Sequence, residues 1–187
     1  TIPLTTMTLS RGAPIAAGAP GSYIHVVQDI TERKENLERL EYHAHYDPLT
    51  GVHNRLRLTP LLEEALAERR PMTLLVLDLL RFRQINDTLG HGTGDRLLRE
   101  VARRLKELAG ERRAVLARLA GDEFALLFGE LTPAAAEALA AELASHLRRP
   151  IPLSVLKLEL EVSIGIARAP QDAADAWSLM RAADVAL

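Results

Sequence analysis

The 187-residue chain has no cysteine, so neither disulfides nor thiolate-held metals contribute to its fold or chemistry. That lack fits a reducing, cytoplasmic compartment, the localisation expected here, with membrane attachment of a longer parent protein left open. Aromatic residues make up only 4%, with a single tryptophan, so the core must be built from Leu, Val, Ile and Ala. Excess charge of one sign is also missing. The formal net charge is −2, which gives no global attraction to nucleic acid or to anionic membranes. No apolar run approaches the roughly 20 residues of a membrane-spanning helix, and no signal peptide is visible. What is present, 48% hydrophobic and 26% charged residues, is ordinary for a globular protein. The length suits one full domain with an appendage. A first residue of Thr and helix-like final residues read as a fragment of a longer protein.

One stretch organises the rest: Leu119-Ala120-Gly121-Asp122-Glu123-Phe124. Apolar runs flank it at 114–119 and 124–128, and two such runs around a Gly-containing polar tetrad read as a β-hairpin. Gly and Asp favour turns for backbone reasons alone. A further acid, Asp78, lies inside the apolar run 73–80. A carboxylate there is costly unless it is paired, ends a strand or binds a cation. Strands that set Asp78 beside Asp122 would form a hard-oxygen site suited to Mg2+.

Residues 1–28 read as two strands, 4–10 and 23–28, joined by a Gly/Pro/Ala loop. A lone hairpin is marginal in water, so they are expected to close a sheet begun upstream. A helix is expected over 31–46, capped by Asp29 or Thr31, with Ile30, Leu37, Leu40 and Ala44 on one stripe. The stripe suits a short parallel coiled coil or a plain amphipathic linker. His43 and His45 do not share a helix face and read as surface residues. Asp47-Pro48-Leu49-Thr50-Gly51 breaks this helix and opens the main domain. Asn54 can cap a helix over 55–69, with Thr59-Pro60 as a second possible start. The run 73–80 reads as a strand covered on both faces. Residues 81–94 are polar and glycine-rich. After them a helix is expected to Ala109, burying Leu97, Leu98, Val101, Leu105 and Leu108, with Gly110 as C-cap. Thr132-Pro133 opens an Ala-rich helix to Arg148. Residues 155–168 alternate strictly, Leu156, Leu158, Leu160, Val162, Ile164 and Ile166 against polar or small partners, and read as one strand with a buried and an exposed face. A last helix starts near Asp172 or Asp175. There is no internal repeat, and the order describes an α/β (α+β) sandwich around a central sheet.

The motifs, taken together, resemble those of GGDEF domains, the diguanylate cyclases of bacterial signalling. They run Asp47-x-Leu49-Thr50-Gly51-x-x-Asn54-Arg55, Asp78 through Asn86-Asp87, Gly90-His91-x-x-Gly94-Asp95 and Arg118-x-Ala120-Gly121-Asp122-Glu123-Phe124. Ser163-Ile164-Gly165-Ile166-Ala167 and Ala183-Asp184-x-Ala186-Leu187 complete the series. Upstream, Val27-Gln28-Asp29-Ile30-Thr31-Glu32-Arg33-Lys34 resembles the end of a PAS sensor domain. The resemblance implies C-terminal PAS strands over 1–30, a connecting signalling helix over 31–46 and a C-terminally truncated GGDEF domain over 47–187. The implied fold is the nucleotidyl-cyclase palm, a ferredoxin-like sheet flanked by helices with an acidic β-hairpin. The implied reaction condenses two GTP into cyclic di-GMP and pyrophosphate across a homodimer. Asp78, the carbonyl of Leu79 and Asp122 would hold Mg2+ or Mn2+. Asp122 or Glu123 would help deprotonate the 3′-hydroxyl, and Arg83 would contact phosphate. Asn86 and Asp95 would read the guanine edge, with His91 against the nucleotide. Implied partners are an upstream PAS sensor and, as one option, a downstream EAL phosphodiesterase, with no nucleic acid and no membrane segment within these 187 residues.

Five departures from the family pattern accompany the match. Ala120 replaces the first Gly of the signature, Leu80 an acid, and Arg83 a Lys. Glu111-Arg112-Arg113-Ala114 stands where the product-inhibition motif reads Arg-x-x-Asp, so cyclic di-GMP binding of that type is not expected. The chain also stops before the downstream Lys and Arg that hold phosphates. Two other functions therefore stand beside catalysis: a degenerate GTP-binding domain that regulates a phosphodiesterase, and a dimerisation scaffold. Taken singly, Asn86-Asp87 could be a turn and Asp95 a helix-start acid.

Overall fold

The structure, a computed structural model, describes residues 42–153 and 156–187. The expected strands at 4–10 and 23–28, the PAS resemblance and the connecting helix before residue 42 lie outside the described residues. Residues 42–45 are helical, with His43 and His45 exposed.

The sheet is organised by β2 (Met72–Leu79), in which every residue except Asp78 is buried. A strand this apolar needs cover on both sides, and two cores supply it. Leu75, Leu77 and Leu79 join one core with Phe82 of α2 (Phe82–Leu89), α3 (His91–Glu111) and α4 (Pro133–Arg148). Leu74 and Val76 join the other with α1 (Arg55–Ala67) and α5 (Ala176–Val185). β2 pairs antiparallel with β4 (Glu123–Gly129) on one side and β7 (Val162–Ala169) on the other. β3 (Val115–Ala120) pairs antiparallel with β4, and the short β1 (His53–Asn54) joins β3 in parallel. The order β1-β3-β4-β2-β7 contains the ferredoxin-like arrangement of the expected palm, with β1 added at one edge.

Local chemistry accounts for the helix starts. Asn54 Oδ1 accepts from Arg57 N at 3.0 Å, so α1 begins there and runs through Pro60 rather than starting at it. Thr132 accepts from Ala135 N ahead of Pro133, and Asp175 accepts from Ser178 N.

The sequence reading needs correction at three places. The glycine-rich segment 81–94 is mostly helical: α2 sets Phe82, Ile85 and Leu89 along one side, and α3 already starts at His91. Gly110 is not the C-cap, because α3 continues to Glu111 and Arg113 takes the left-handed conformation at φ +53°. The alternating stretch 155–168 is not one strand. Its first part, β6 (Leu156–Leu158), forms a separate hairpin with β5 (Ile151–Leu153), and the main-sheet strand starts only at Val162. Nor is one face of β7 left to solvent. Ile164 and Ile166 pack on the α3/α4 core, while Gly165, Ala167 and Ala169 are buried on the α5 side. The alternation is one of size: a Cβ on Gly165 would lie 1.8 Å from the Ala183 carbonyl, so only glycine admits α5 this closely.

Arg104 is the buried cation of the described residues. Its guanidinium donates to the carbonyls of His146, Leu147, Arg149 and Pro150 and to Glu100 Oε1, closing the C-terminal end of α4. Hydrogen bonds from Arg103 first, and from Arg104 against the burial penalty, hold Glu100 down at about 2. Removing Arg104 strands several buried acceptors, whereas Arg103 is 55% exposed. Arg104→Met should therefore lose roughly 3 kcal/mol in urea unfolding, and Arg103→Met less than about 1 kcal/mol. Equal losses would refute this account of the clamp.

Candidate active site

The β2–β4 ladder ends by pairing Asp78 with Glu123, and the β2–β7 ladder sets Ser163 on the other side of Asp78. Directly paired residues share a sheet face, here the side of Leu74, Val76 and α5. The β3–β4 turn carries Gly121, at φ +47°, and the half-buried Asp122. Burial pushes the Asp78 carboxyl above the usual range, and the charges of Asp122 and Asp184 add to it. Burial likewise raises Glu123, with help from Asp184 and Asp78 and against the opposing charge of Arg55. Four acids thus crowd one end of the sheet.

Among the described residues, no three His, Cys, Asp or Glu side chains converge tightly enough to enclose a metal unaided. Mg2+ does not require that, since it takes one or two carboxylates and completes its shell with phosphate, water or backbone oxygen. Acids that resist ionising beside one another fit such a cation. Leu79, expected to offer its carbonyl, is the last residue of β2, where the β4 ladder has ended and the β7 ladder continues. The turn after it passes through Arg81 at φ +63°, a left-handed position unusual for a side-chain-bearing residue.

The expected nucleotide-reading residues lie on α2 and α3. Asn86 is half-buried, and its Oδ1 is buried without a hydrogen-bond partner. A Cβ on Gly94 would come within 1.9 Å of that oxygen, so glycine is what lets the two helices meet there. Asp95 follows on α3, half-buried, and His91 is exposed at the start of the same helix. Arg83 stands apart: its side chain is 96% exposed, with Asp87 Oδ2 3.9 Å away. The structure therefore brings Asp78, Asp122 and Glu123 together, sets Asn86 against Gly94, and leaves Arg83 in solvent.

A second network ties the hairpin to the start of the domain. Arg118 Nη1 donates to both oxygens of Asp47 at 3.0 and 3.2 Å, and its Nε and Nη2 donate to the Gly121 carbonyl at 2.9 and 2.6 Å. Asp47 also accepts from the amide and hydroxyl of Thr50. Burial pushes Asp47 up, but the bonds from Thr50 and Arg118 outweigh it and hold the carboxyl below its ordinary value. Asp47, Arg55, Arg118 and Asp184 all fall within the quoted motifs, yet sequence reasoning gave them no role. The Arg118–Asp47 link joins residues 71 positions apart, and Arg55 and Asp184 are marked only by their charges acting on Glu123.

A family profile described as "Diguanylate cyclase, GGDEF domain" matches residues 44–187. The chain is 35% identical over 161 residues to the cyclic di-GMP phosphodiesterase PdeR of Escherichia coli, an alignment covering 85% of this chain and 24% of that protein. It is 36% identical over 158 residues to the bifunctional diguanylate cyclase/cyclic di-GMP phosphodiesterase MucR of Pseudomonas aeruginosa, covering 82% and 23%. The crystal structure of a sensory box/GGDEF family protein from Caulobacter crescentus superposes with a TM-score of 0.71 at 37% identity, covering 77% of this chain and 96% of that one. The chain spans a quarter or less of the length of these curated relatives.

Two outcomes follow from this geometry. Without divalent ions, Asp78→Asn should raise the melting temperature near neutral pH. The folded state binds the Asp78 proton more tightly than the unfolded chain does, so its stabilising contribution is full below the ordinary carboxylate pKa of about 3.9 and is lost as pH rises through the raised value. The variant's advantage should vanish near pH 3.5, and a constant advantage across the range would contradict this. Arg118→Lys keeps the charge but not the fork. Hydrogen exchange at Gly121 and Asp122 should speed up by about tenfold or more, as expected for losing charged hydrogen bonds. Unchanged exchange would mean the Asp47 link does not hold the tip.

Proposed function

Because the chain belongs to the GGDEF domain family of cyclic di-GMP signalling, we propose that it acts as a diguanylate cyclase module. Two GTP molecules, one held by each protomer of a homodimer, condense to cyclic di-GMP. Each 3′-oxygen loses its proton and bonds to the other nucleotide's α-phosphorus, expelling pyrophosphate. The observation that carries this reading is the pairing of Asp78 with Glu123 at the sheet end, with Asp122 on the adjoining turn. Asp78, Asp122 and the Leu79 carbonyl would hold Mg2+ or Mn2+, which supplies charge neutralisation for the phosphates. Asp122 or Glu123 takes the hydroxyl proton; burial and the neighbouring Asp184 and Asp78 raise the proton affinity of Glu123. Asn86 and Asp95 would read the guanine edge, with His91 at the rim. Arg83, extended into solvent, is free to swing onto phosphate.

Arg112, inside the segment that stands where the motif reads Arg-x-x-Asp, donates through Nη2 to both oxygens of Glu142 at 2.7 and 2.8 Å. Glu111 and Ala114 at the two defining positions support the expected lack of product inhibition of that type. In the parent protein we assign 1–30 to a PAS sensor and 31–46 to the connecting helix, with an EAL phosphodiesterase as the downstream partner.

A second reading, a degenerate GTP-binding regulator, draws on the solvent-exposed Arg83 and on relatives named as phosphodiesterases. One experiment separates the two. The chain with GTP and Mg2+ should yield cyclic di-GMP by chromatography, and Asp122→Asn should cut the yield at least ~100-fold, a loss of a few kcal/mol of transition-state stabilisation. GTP bound in calorimetry without any product would favour the regulator. Gly94→Ala should weaken GTP under either reading, because its methyl displaces Asn86.

A further inference from the structure

The chain enters the domain through a wide turn whose two arms meet at Tyr46 and His53. These residues form an isolated antiparallel bridge, and their rings stack with centroids 4.8 Å apart at 27°. Just inside the bridge, Asp47 N donates to the Val52 carbonyl at 2.8 Å. His53 also belongs to β1, paired with Ala117 of β3, so it joins the entering segment to the sheet edge.

The Nδ1 of His53 is buried and has no hydrogen-bond partner among the described residues. In a neutral imidazole that nitrogen can remain a bare lone pair. In the charged ring both nitrogens carry hydrogens, and a buried N–H without an acceptor is costly. The surrounding charges do not relieve that cost. His45 on the entering segment and Arg57 on α1 both act on the ring as positive charges. Asp47, the acid of the turn, already accepts from Thr50 and Arg118, while Lys106 of α3 brings a further cation to the carbonyls of Thr50 and Gly51. Burial pushes the His53 imidazole below its ordinary value of 6.5, against a main-chain hydrogen bond to His45 that favours the proton.

We propose that His53 is a proton-operated latch: its neutral ring holds residues 45–47 on β1, and its protonation in mild acid frees them. The latch stands apart from the cyclase reading, since it concerns the joint and not the nucleotide. Its release bears on the acidic hairpin, because Arg118 ties Asp47 to the Gly121 carbonyl. A group whose folded proton affinity is lowered supports the joint fully above its ordinary value and loses that support as pH falls through the lowered one.

Amide hydrogen exchange of the full chain is measured at about pH 7.5 and about pH 5.5, either side of the ordinary histidine value, with intrinsic rates divided out. Amides of β2 serve as the internal reference. At the lower pH the Asp47 amide should lose at least about threefold of its protection relative to β2. His53→Phe keeps an aromatic ring against Tyr46 but takes no proton, and should abolish the loss. His45→Gln, which removes the exposed neighbour's titration, should leave the loss in place. NMR titration of the His53 imidazole needs no variant, and its midpoint should fall below 6.5. A midpoint at or above that value overturns the proposal, as does an equal pH response in His53→Phe. A response that disappears in His45→Gln belongs to His45 and overturns it likewise.

Discussion

The register between β2 and β4 is the constraint on which the rest depends. Seven consecutive pairs, from Met72 with Gly129 to Asp78 with Glu123, leave the two acids opposite each other where the ladder stops. A slip by one residue would turn every side chain to the other face. Both faces of β2 are apolar, so polarity alone would not forbid that slip. Size does. Phe124, Leu126 and Phe128 fill the α3/α4 side, while Ala125, Ala167 and Gly165 leave the other side shallow enough for α1 and α5 to dock. Exchanging the two sets would overpack one core and hollow out the other.

The same division of the sheet splits the candidate site. Asn86 and Asp95 belong to the helices of the α3/α4 side, whereas Glu123 and Asp184 face the α1/α5 side. Asp78 and Leu79 occupy the rim between them, at the one point where the central strand gives out. A ligand touching both groups must wrap around that strand end. Crowding acids at the rim costs stability, and the folded chain carries this penalty in the raised proton affinities of Asp78 and Glu123.

Much of this was legible in the chain as local pattern. The apolar run of β2, the hairpin around Gly121-Asp122, and the caps at Asn54, Thr132 and Asp175 each depend on neighbours within a few residues. What escaped depends on contacts between distant segments. Gly94 looks like a loop residue until α2 is seen lying against it, and Gly165 looks like a gap in a strand until α5 is docked. Arg118 and Asp47 are 71 positions apart, and no periodicity links them. The hairpin of β5 and β6 was hidden by an alternation that continued smoothly into β7 although the strand did not.

The anchoring of the segment that enters the domain has one more consequence. Asn54 Nδ2 donates to the carbonyls of His43 and Ala44, both at 3.2 Å, and Lys106 Nζ donates to those of Thr50 and Gly51. These grips hold main-chain oxygens, which every amino acid supplies alike. The hold of Asn54 on the entering segment therefore does not depend on which side chains stand at positions 43 and 44.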